Sequence, residues 1–347
     1  MSVPYIFVPS KEEVKAEILA AKEALEKYGI DDWRTSIHPD EPIDWVSYFE
    51  AAQKQLNKSG SGQHTGTIFF SDWYPLKRTL VLDSHVELKG AFRAKHHLGS
   101  SCGFLAEEGF EGEWVLEWKT PKKNTFYSNF GAGLRNVHVE SRDGINGVYF
   151  RGAQQSAGVD NLVVRGFGEN AVGVKLGGDT YSVRDVFSDA AIGGGGSFAR
   201  NGAVAYELGS RRAYSLRLEN ITSHNCETGL KWGDAHQVTI ENYETELTTT
   251  PLVCTYDARG INIRNGCFRH TDNLLKLKKI RWPDDCRIKI DGMMADNKPG
   301  IIILPNDDTV TASRCFDLVI EGERSGVKVT DLKEMRKFYR DSQNNGN

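Results

Sequence analysis

The sequence predicts an all-β parallel solenoid, a β-helix, closed at its N-terminal end by helices. Three observations carry this. Short apolar segments recur every 22–25 residues over most of the chain, the helical period vanishes after about residue 66, and 35 glycines stand against only 10 prolines in 347 residues. Many glycines with few prolines suit frequent tight turns between short strands.

The opening segment is helical. Ser10-x-x-Glu13 is a capping-box pattern, Val14, Ile18, Leu25 and Tyr28 form an apolar stripe, and Gly29 stands where a C-cap belongs. A second stripe, Trp45, Phe49, Ala52 and Leu56, follows Asp44 as N-cap. A polar, glycine-bearing loop from Asn57 to Gly66 ends the cap. Strand-like segments follow at Thr67–Phe70, Leu80–Leu82 and Val86–Leu88, with Gly90 next.

The repeat is read from its last apolar residue. Val139, Val164, Val183, Leu218, Ile240, Ile263, Ile290 and Ile320 anchor successive coils, with steps of 25, 19, 35, 22, 23, 27 and 30. Asn220, Asn242 and Asn265 each stand two residues after an anchor, where an amide can bond up and down a stack. A second strand trails the anchors: Leu230, Leu252 and Leu275 lie twelve residues on, with Val172 and Ile301 at eight and eleven. One such coil cannot bury its apolar side alone; stacked at about 4.8 Å per rung, the coils bury it jointly. The predicted organisation is a helical cap over 1–62, a β-helix over 63–325, and a C-terminal helix (Thr330–Tyr339) with a polar tail over 326–347.

Gly66-Thr-Ile-Phe-Phe70 followed by Leu80-Val-Leu82-x-Ser84-x-Val86-x-Leu88-x-Gly90 resembles the opening segment of the pectate-lyase-like right-handed parallel β-helix superfamily, which includes phage tailspikes and polysaccharide depolymerases. The resemblance spans roughly residues 40–325. It implies a right-handed coil and a carbohydrate-active protein. The substrate it implies is a polysaccharide, cut by glycoside hydrolysis or β-elimination. Two alternatives accompany it: a glycan-binding virion tail or adhesion protein that does not cut, and a uronate C5-epimerase. If the protein belongs to a virion, the resemblance implies a homotrimer.

Charge and composition exclude other classes. Lys+Arg 43 against Asp+Glu 47 leaves a net charge of −4, so no basic field draws the chain to nucleic acid. No apolar run approaches the length of a membrane span, and the start shows no secretory signal, so synthesis in the cytoplasm is expected. The six cysteines form no C-x-x-C pair and read as buried thiols. Gly166-Phe-Gly168-Glu-Asn-Ala171 outlines a dinucleotide fingerprint, but a strand pattern follows it instead of a helix. Gly193–Gly196 lacks the Lys-Ser/Thr of a P-loop and is an inserted loop. Arg287-Ile-Lys289 echoes a polygalacturonase motif without its partner residues.

In β-helices that act on polysaccharides the groove usually lies over the strand after the long turn. Alternation then points Tyr149, Arg151, Lys175, Glu207, Lys231, Lys276 and Lys278 outward on that face. Such a basic stripe in an acidic protein predicts an acidic polysaccharide. Glu207, flanked by Lys175 and Lys231, is the expected base or nucleophile, with Glu227 or Asp272 as the partner acid. For β-elimination, His224 or His270 is the base and Tyr149 or a lysine the proton donor. No cofactor is implied. Asp234, His236 and Asp257 are where a calcium ion could bind, without the clustered carboxylates that would supply six oxygens.

Overall fold

The computed structural model describes residues 5–30, 32–38, 43–59, 66–83, 85–94, 102–118, 131–153, 157–191, 198–271, 273–277, 287–291, 294–295, 300–303 and 317–321. Among these, every strand pairing is parallel and all 21 strands join one continuous sheet. Each strand pairs with strands one coil away, never with its chain neighbour by a hairpin. That is a parallel β-helix, wound right-handed as parallel crossovers are.

Two kinds of strand build each coil. A straight strand, such as Val172–Asp179, Arg200–Tyr214 or Cys226–His236, alternates with a bent one, such as Gly158–Arg165, Ser182–Asp189, Arg217–His224, Thr239–Glu246 or Ile261–Arg269. The bend is a single left-handed residue. Asn136, Asn161, Asp185, Asn220, Asn242 and Asn265 hold φ between 53° and 56° at this position in six successive coils. Asparagine tolerates this region better than other side chains with a Cβ. Its amide adds a ladder: Asn265 Nδ2 donates to Asn242 Oδ1 (3.3 Å), Asn242 to Asn220 (2.8 Å), and Asn220 to Asp185 Oδ1 (2.9 Å).

The core is columnar. Leu116, Val148, Val174, Tyr206, Leu230, Leu252 and Leu275 stand in register inside the straight strands and are all buried. Leu134, Val159, Val183, Leu218, Ile240, Ile263 and Ile290 do the same before the bend. This register corrects the sequence repeat. Val139 and Val164 lie after the bend and align with Ser188, not with Val183. With Val159 as anchor, the irregular step of 19 becomes 24 (159 to 183). Val172 likewise gives way to Val174, which shares Leu230's column. The slip arises because a coil has inward residues on both sides of its bend, and period-2 alternation cannot tell the two apart.

Helix α1 (Lys11–Tyr28) carries both reciprocal bonds of the Ser10–Glu13 capping box and ends at Gly29 with φ 67°. Only Val14, Ile18 and Ala21 are buried; Leu25 and Tyr28 are exposed. Helix α2 (Trp45–Ser59) is the true cap. Trp45, Phe49, Ala52 and Leu56 are buried, and Phe49 packs edge-on against Phe70, Tyr74 and Phe104 (5.2–6.4 Å). The strand Tyr5–Val8 pairs in register with Gly66–Phe70, so the sheet already begins ahead of the helices, inside the region expected to be cap alone. Four residues give too short an alternation to be read from sequence. The expected helix Thr330–Tyr339 lies outside the described residues.

Candidate functional site

The outward column of the straight strands holds the residues singled out from the sequence. Glu117, Tyr149, Lys175, Glu207, Lys231, Val253 and Lys276 stand one above another on successive rungs. Glu207 Oε1 lies 2.7 Å from Lys175 Nζ and Oε2 accepts from Lys231 Nζ at 2.8 Å, with the Glu207 side chain 15% exposed. Burial alone would raise its pKa, but the two lysine hydrogen bonds outweigh that and hold the carboxyl below the ordinary carboxylate value. It is therefore no proton donor, and both oxygens are already engaged.

The coils before Glu207 on this face are equally self-satisfied. Tyr149 is buried (7% exposed) against Trp114, ring centroids 5.1 Å apart, with the Arg151 guanidinium 4.3 Å and Lys175 Nζ 5.3 Å from its ring centroid. Arg151 in turn is ion-paired to Glu117. Packed in this way, Tyr149 presents little surface to a ligand. Glu227 lies four residues before Lys231 on its strand, roughly 13 Å along the chain from Glu207's level. Its Oε2 accepts from the Gly202 backbone N–H at 2.7 Å, so it closes a turn and makes no carboxylate pair with Glu207. Val253, 4% exposed, separates Lys231 from Lys276. Asp272 and Lys278 lie outside the described residues. His270 is an exposed corner residue with φ 51°.

A concavity of about 610 Å³ lies on the other face, over the bent strands. That volume suits a small-molecule or oligosaccharide site. Its floor is the outward column after the bend, Val163, Phe187, Thr222 and Glu244, then Cys267 one rung on. Beside it run Asp189, His224, Glu246 and Arg269. Of the sequence candidates among the described residues, only His224 lines this groove. Its Nε2 is 3.6 Å from Glu246 Oε2, and its ring meets Phe187 edge-on at 4.8 Å. Asp189, the neighbour on the other side, is buried and turned to the corner, accepting from Ala191 N–H and Asn225 Nδ2 (2.9 Å each).

One wall comes from far away in sequence. The Asn161 amide clasps the backbone of Ala94 twice, accepting from its N–H at 2.6 Å and donating to its carbonyl at 3.2 Å. Arg93 reaches Asp185 Oδ2 at 3.4 Å. Ala94, Val163 and Phe187 then form a small apolar cluster apart from the main core. Gly90 lets this wall leave the sheet: a Cβ there would sit 2.1 Å from the Asn136 carbonyl oxygen. At the far end Arg269 Nη1 lies 3.4 Å from Glu244 Oε1.

Sequence reasoning missed Arg93, Asp185, Glu244, Glu246 and Arg269. One signal was present. With Val159 and Val183 as anchors, the residue two further on is Asn161 and then Asp185, a carboxylate standing in an asparagine ladder. Among the described residues no group of three or more His, Cys, Asp or Glu side chains is placed to hold a metal ion. Asp234 and Asp257 do occupy adjacent rungs, and Asp234 Oδ1 lies 3.2 Å from His236 Nε2. No helix of the described residues is long and apolar enough to cross a membrane.

No protein-family model and no curated protein matches the sequence. Among solved structures the chain is similar to the tailspike of an Acinetobacter phage, at 12% identity and TM-score 0.48, over 75% of this chain and 45% of that one. It is also similar to a family GH82 iota-carrageenase from A. fortis (9%, TM-score 0.45, 66% and 50%). A third likeness is to the catalytic unit of a family GH87 α-1,3-glucanase from Streptomyces thermodiastaticus (12%, TM-score 0.43, 84% and 67%). The chain spans about half the length of the first two. At such identities and TM-scores, none of these likenesses assigns an activity to it.

Proposed function

We propose that the protein is a carbohydrate-active β-helix that binds a polysaccharide in the groove over the bent strands and cleaves it there by hydrolysis. The observation that carries this is the groove itself, a concavity that gathers Asp185, Glu244, Glu246 and His224 on stacked rungs. Glu244 and Glu246 both face outward, two residues apart on one strand, so their backbones are about 7 Å apart. Side chains reaching from those backbones can set their carboxyl groups the roughly 6.5–9.5 Å apart that inverting glycoside hydrolases use, where a water fits between base and sugar. Glu244, opposite the Arg269 guanidinium, is the carboxylate that takes the proton of the attacking water. The His224–Glu246 pair supplies a proton to the leaving oxygen. Its 3.6 Å separation is loose, as catalytic contacts often are before substrate tightens them.

The lysine ladder gives this reading its contrast. Glu207, expected from the sequence to do the chemistry, is committed to Lys175 and Lys231 and serves the stack. β-Elimination finds less support, since neither Tyr149 nor any of the lysines expected to donate a proton is among the residues described as lining the groove. The test is incubation with a panel of polysaccharides, reading new reducing ends together with the ultraviolet absorbance of an unsaturated product. Reducing ends without that absorbance, lost in Glu244→Gln and Glu246→Gln, support the proposal. Both signals together would make the protein a lyase. Binding without cleavage would leave a glycan-binding protein that uses the same groove.

A further inference from the structure

The charges of the groove come in opposed couples. Arg93 meets Asp185 at 3.4 Å, Arg269 meets Glu244 at 3.4 Å, and His224 meets Glu246 at 3.6 Å. The remaining lining is uncharged: Asn161, Asn220 and Thr222, with Val163, Val186, Phe187 and Ala94 between them. Two arginines against three carboxylates leave the lining at −1 with His224 neutral, and at zero with it protonated. The neighbouring outward residues add no positive excess, since the single Arg217 lies 3.6 Å from both Glu219 and Glu241.

From this we infer that the groove takes an uncharged glycan, not the acidic polysaccharide that the sequence suggested. The inference rests on the groove being the glycan site. A carboxylated or sulfated chain would have to run past Asp185, Glu244 and Glu246, and each like-charge approach costs affinity. To use an arginine it would first have to displace the carboxylate already beside it. A neutral sugar meets no such conflict. Each hydroxyl both donates and accepts, and each couple offers a donor and an acceptor side by side. The apolar strip of Val163 and Phe187 suits the C–H face of a ring. The lysines that suggested an acidic ligand are on the opposite face, and two of them already share Glu207.

Asp185 is the residue that sets this preference. It occupies a ladder position that is asparagine in the other five coils, and it is the acceptor that ends a chain of amide donors. An asparagine there keeps the left-handed bend and can still accept from Asn220, so Asp185→Asn removes one negative charge while preserving the coil. It also releases Arg93 toward the groove.

The experiment measures binding of the full chain to uncharged glucans, mannans and galactans, and to carboxylated and sulfated polysaccharides, across about 0.05–0.5 M salt. The expected result is binding to an uncharged glycan, changing less than about twofold with salt, and binding of the polyanions that is weaker by about a hundredfold. Asp185→Asn is expected to raise polyanion affinity at low salt by about tenfold, the scale of one removed like charge. Tight, salt-sensitive binding of a polyanion by the wild type, lost in Arg269→Ala, would overturn the neutral-substrate inference and leave the groove reading intact. Binding of neither class would remove the groove reading and this inference with it.

Discussion

The two outward faces of this β-helix hold the same kinds of side chain and use them differently. On the straight strands, Lys175 and Lys231 each sit 2.7–2.8 Å from Glu207 in a half-buried column. On the bent strands, the couples of Arg93, His224 and Arg269 with their carboxylates are spaced at 3.4–3.6 Å around a concavity. A charge-assisted hydrogen bond is at full strength near 2.7–2.9 Å and is little of one at 3.6 Å. The first face is saturated and holds coils together. The second keeps donors and acceptors within reach of a ligand. Charge composition alone does not mark a site; shape and residual hydrogen-bonding capacity do.

The sharpest way to break this comparison is to remove one carboxylate from each face. Glu244→Gln or Glu246→Gln is expected to lower the cleavage rate by about 10²–10⁴, the usual worth of a general acid or base. Glu207→Gln should leave that rate within about threefold, since no reacting atom meets it. Equal losses in both would erase the distinction between the faces.

Next in size is the shared core. Trp232 is fully buried, in register with Leu208 and Cys254 beneath both faces. Trp232→Ala should cost about 3–5 kcal/mol, read by denaturant unfolding, and should weaken both faces alike.

Glu207→Gln then separates stability from activity. The variant leaves Lys175 and Lys231 without their carboxylate and is expected to cost about 2 kcal/mol near pH 7. The sign with pH follows from the lowered folded pKa. The contribution is present above the ordinary carboxylate value of 4.5 and is lost as pH falls through the folded value. The unfolding curves of wild type and Glu207→Gln should therefore converge in strong acid. A gap that persists there would mean that shape, not charge, sets the cost.

The ladder gives the smallest effect. Asn242→Ala loses two amide bonds and puts an alanine at φ 56°, for about 1–2 kcal/mol; Asn242→Gly should cost less because glycine accepts that φ freely. If glycine were the worse of the two, the extra freedom it gives the unfolded chain, and not the left-handed φ, would decide the difference.

Much of the fold was legible because it repeats. The capping box at Ser10–Glu13, the α2 stripe and the anchors from Val183 onward all sit where local pattern puts them. Leu25 and Tyr28 misled, since a helix stripe records amphipathicity and not burial. The slip at Val139 and Val164 had a larger consequence. It hid Asp185 as the odd member of the asparagine column. The groove itself was not legible, because its wall joins Ala94 to Asn161 across 67 residues, and because Glu244 and Glu246 look like ordinary outward residues until a concavity forms above them.

The most direct measurement is a crystal structure of Glu244→Gln with an oligosaccharide taken from the polysaccharide that the wild type cleaves. The account predicts sugar density over Phe187, Thr222 and His224, between Arg93 and Arg269, with the face of Lys175, Glu207 and Lys231 bare. Sugar density along that lysine ladder, with the groove empty, would contradict it.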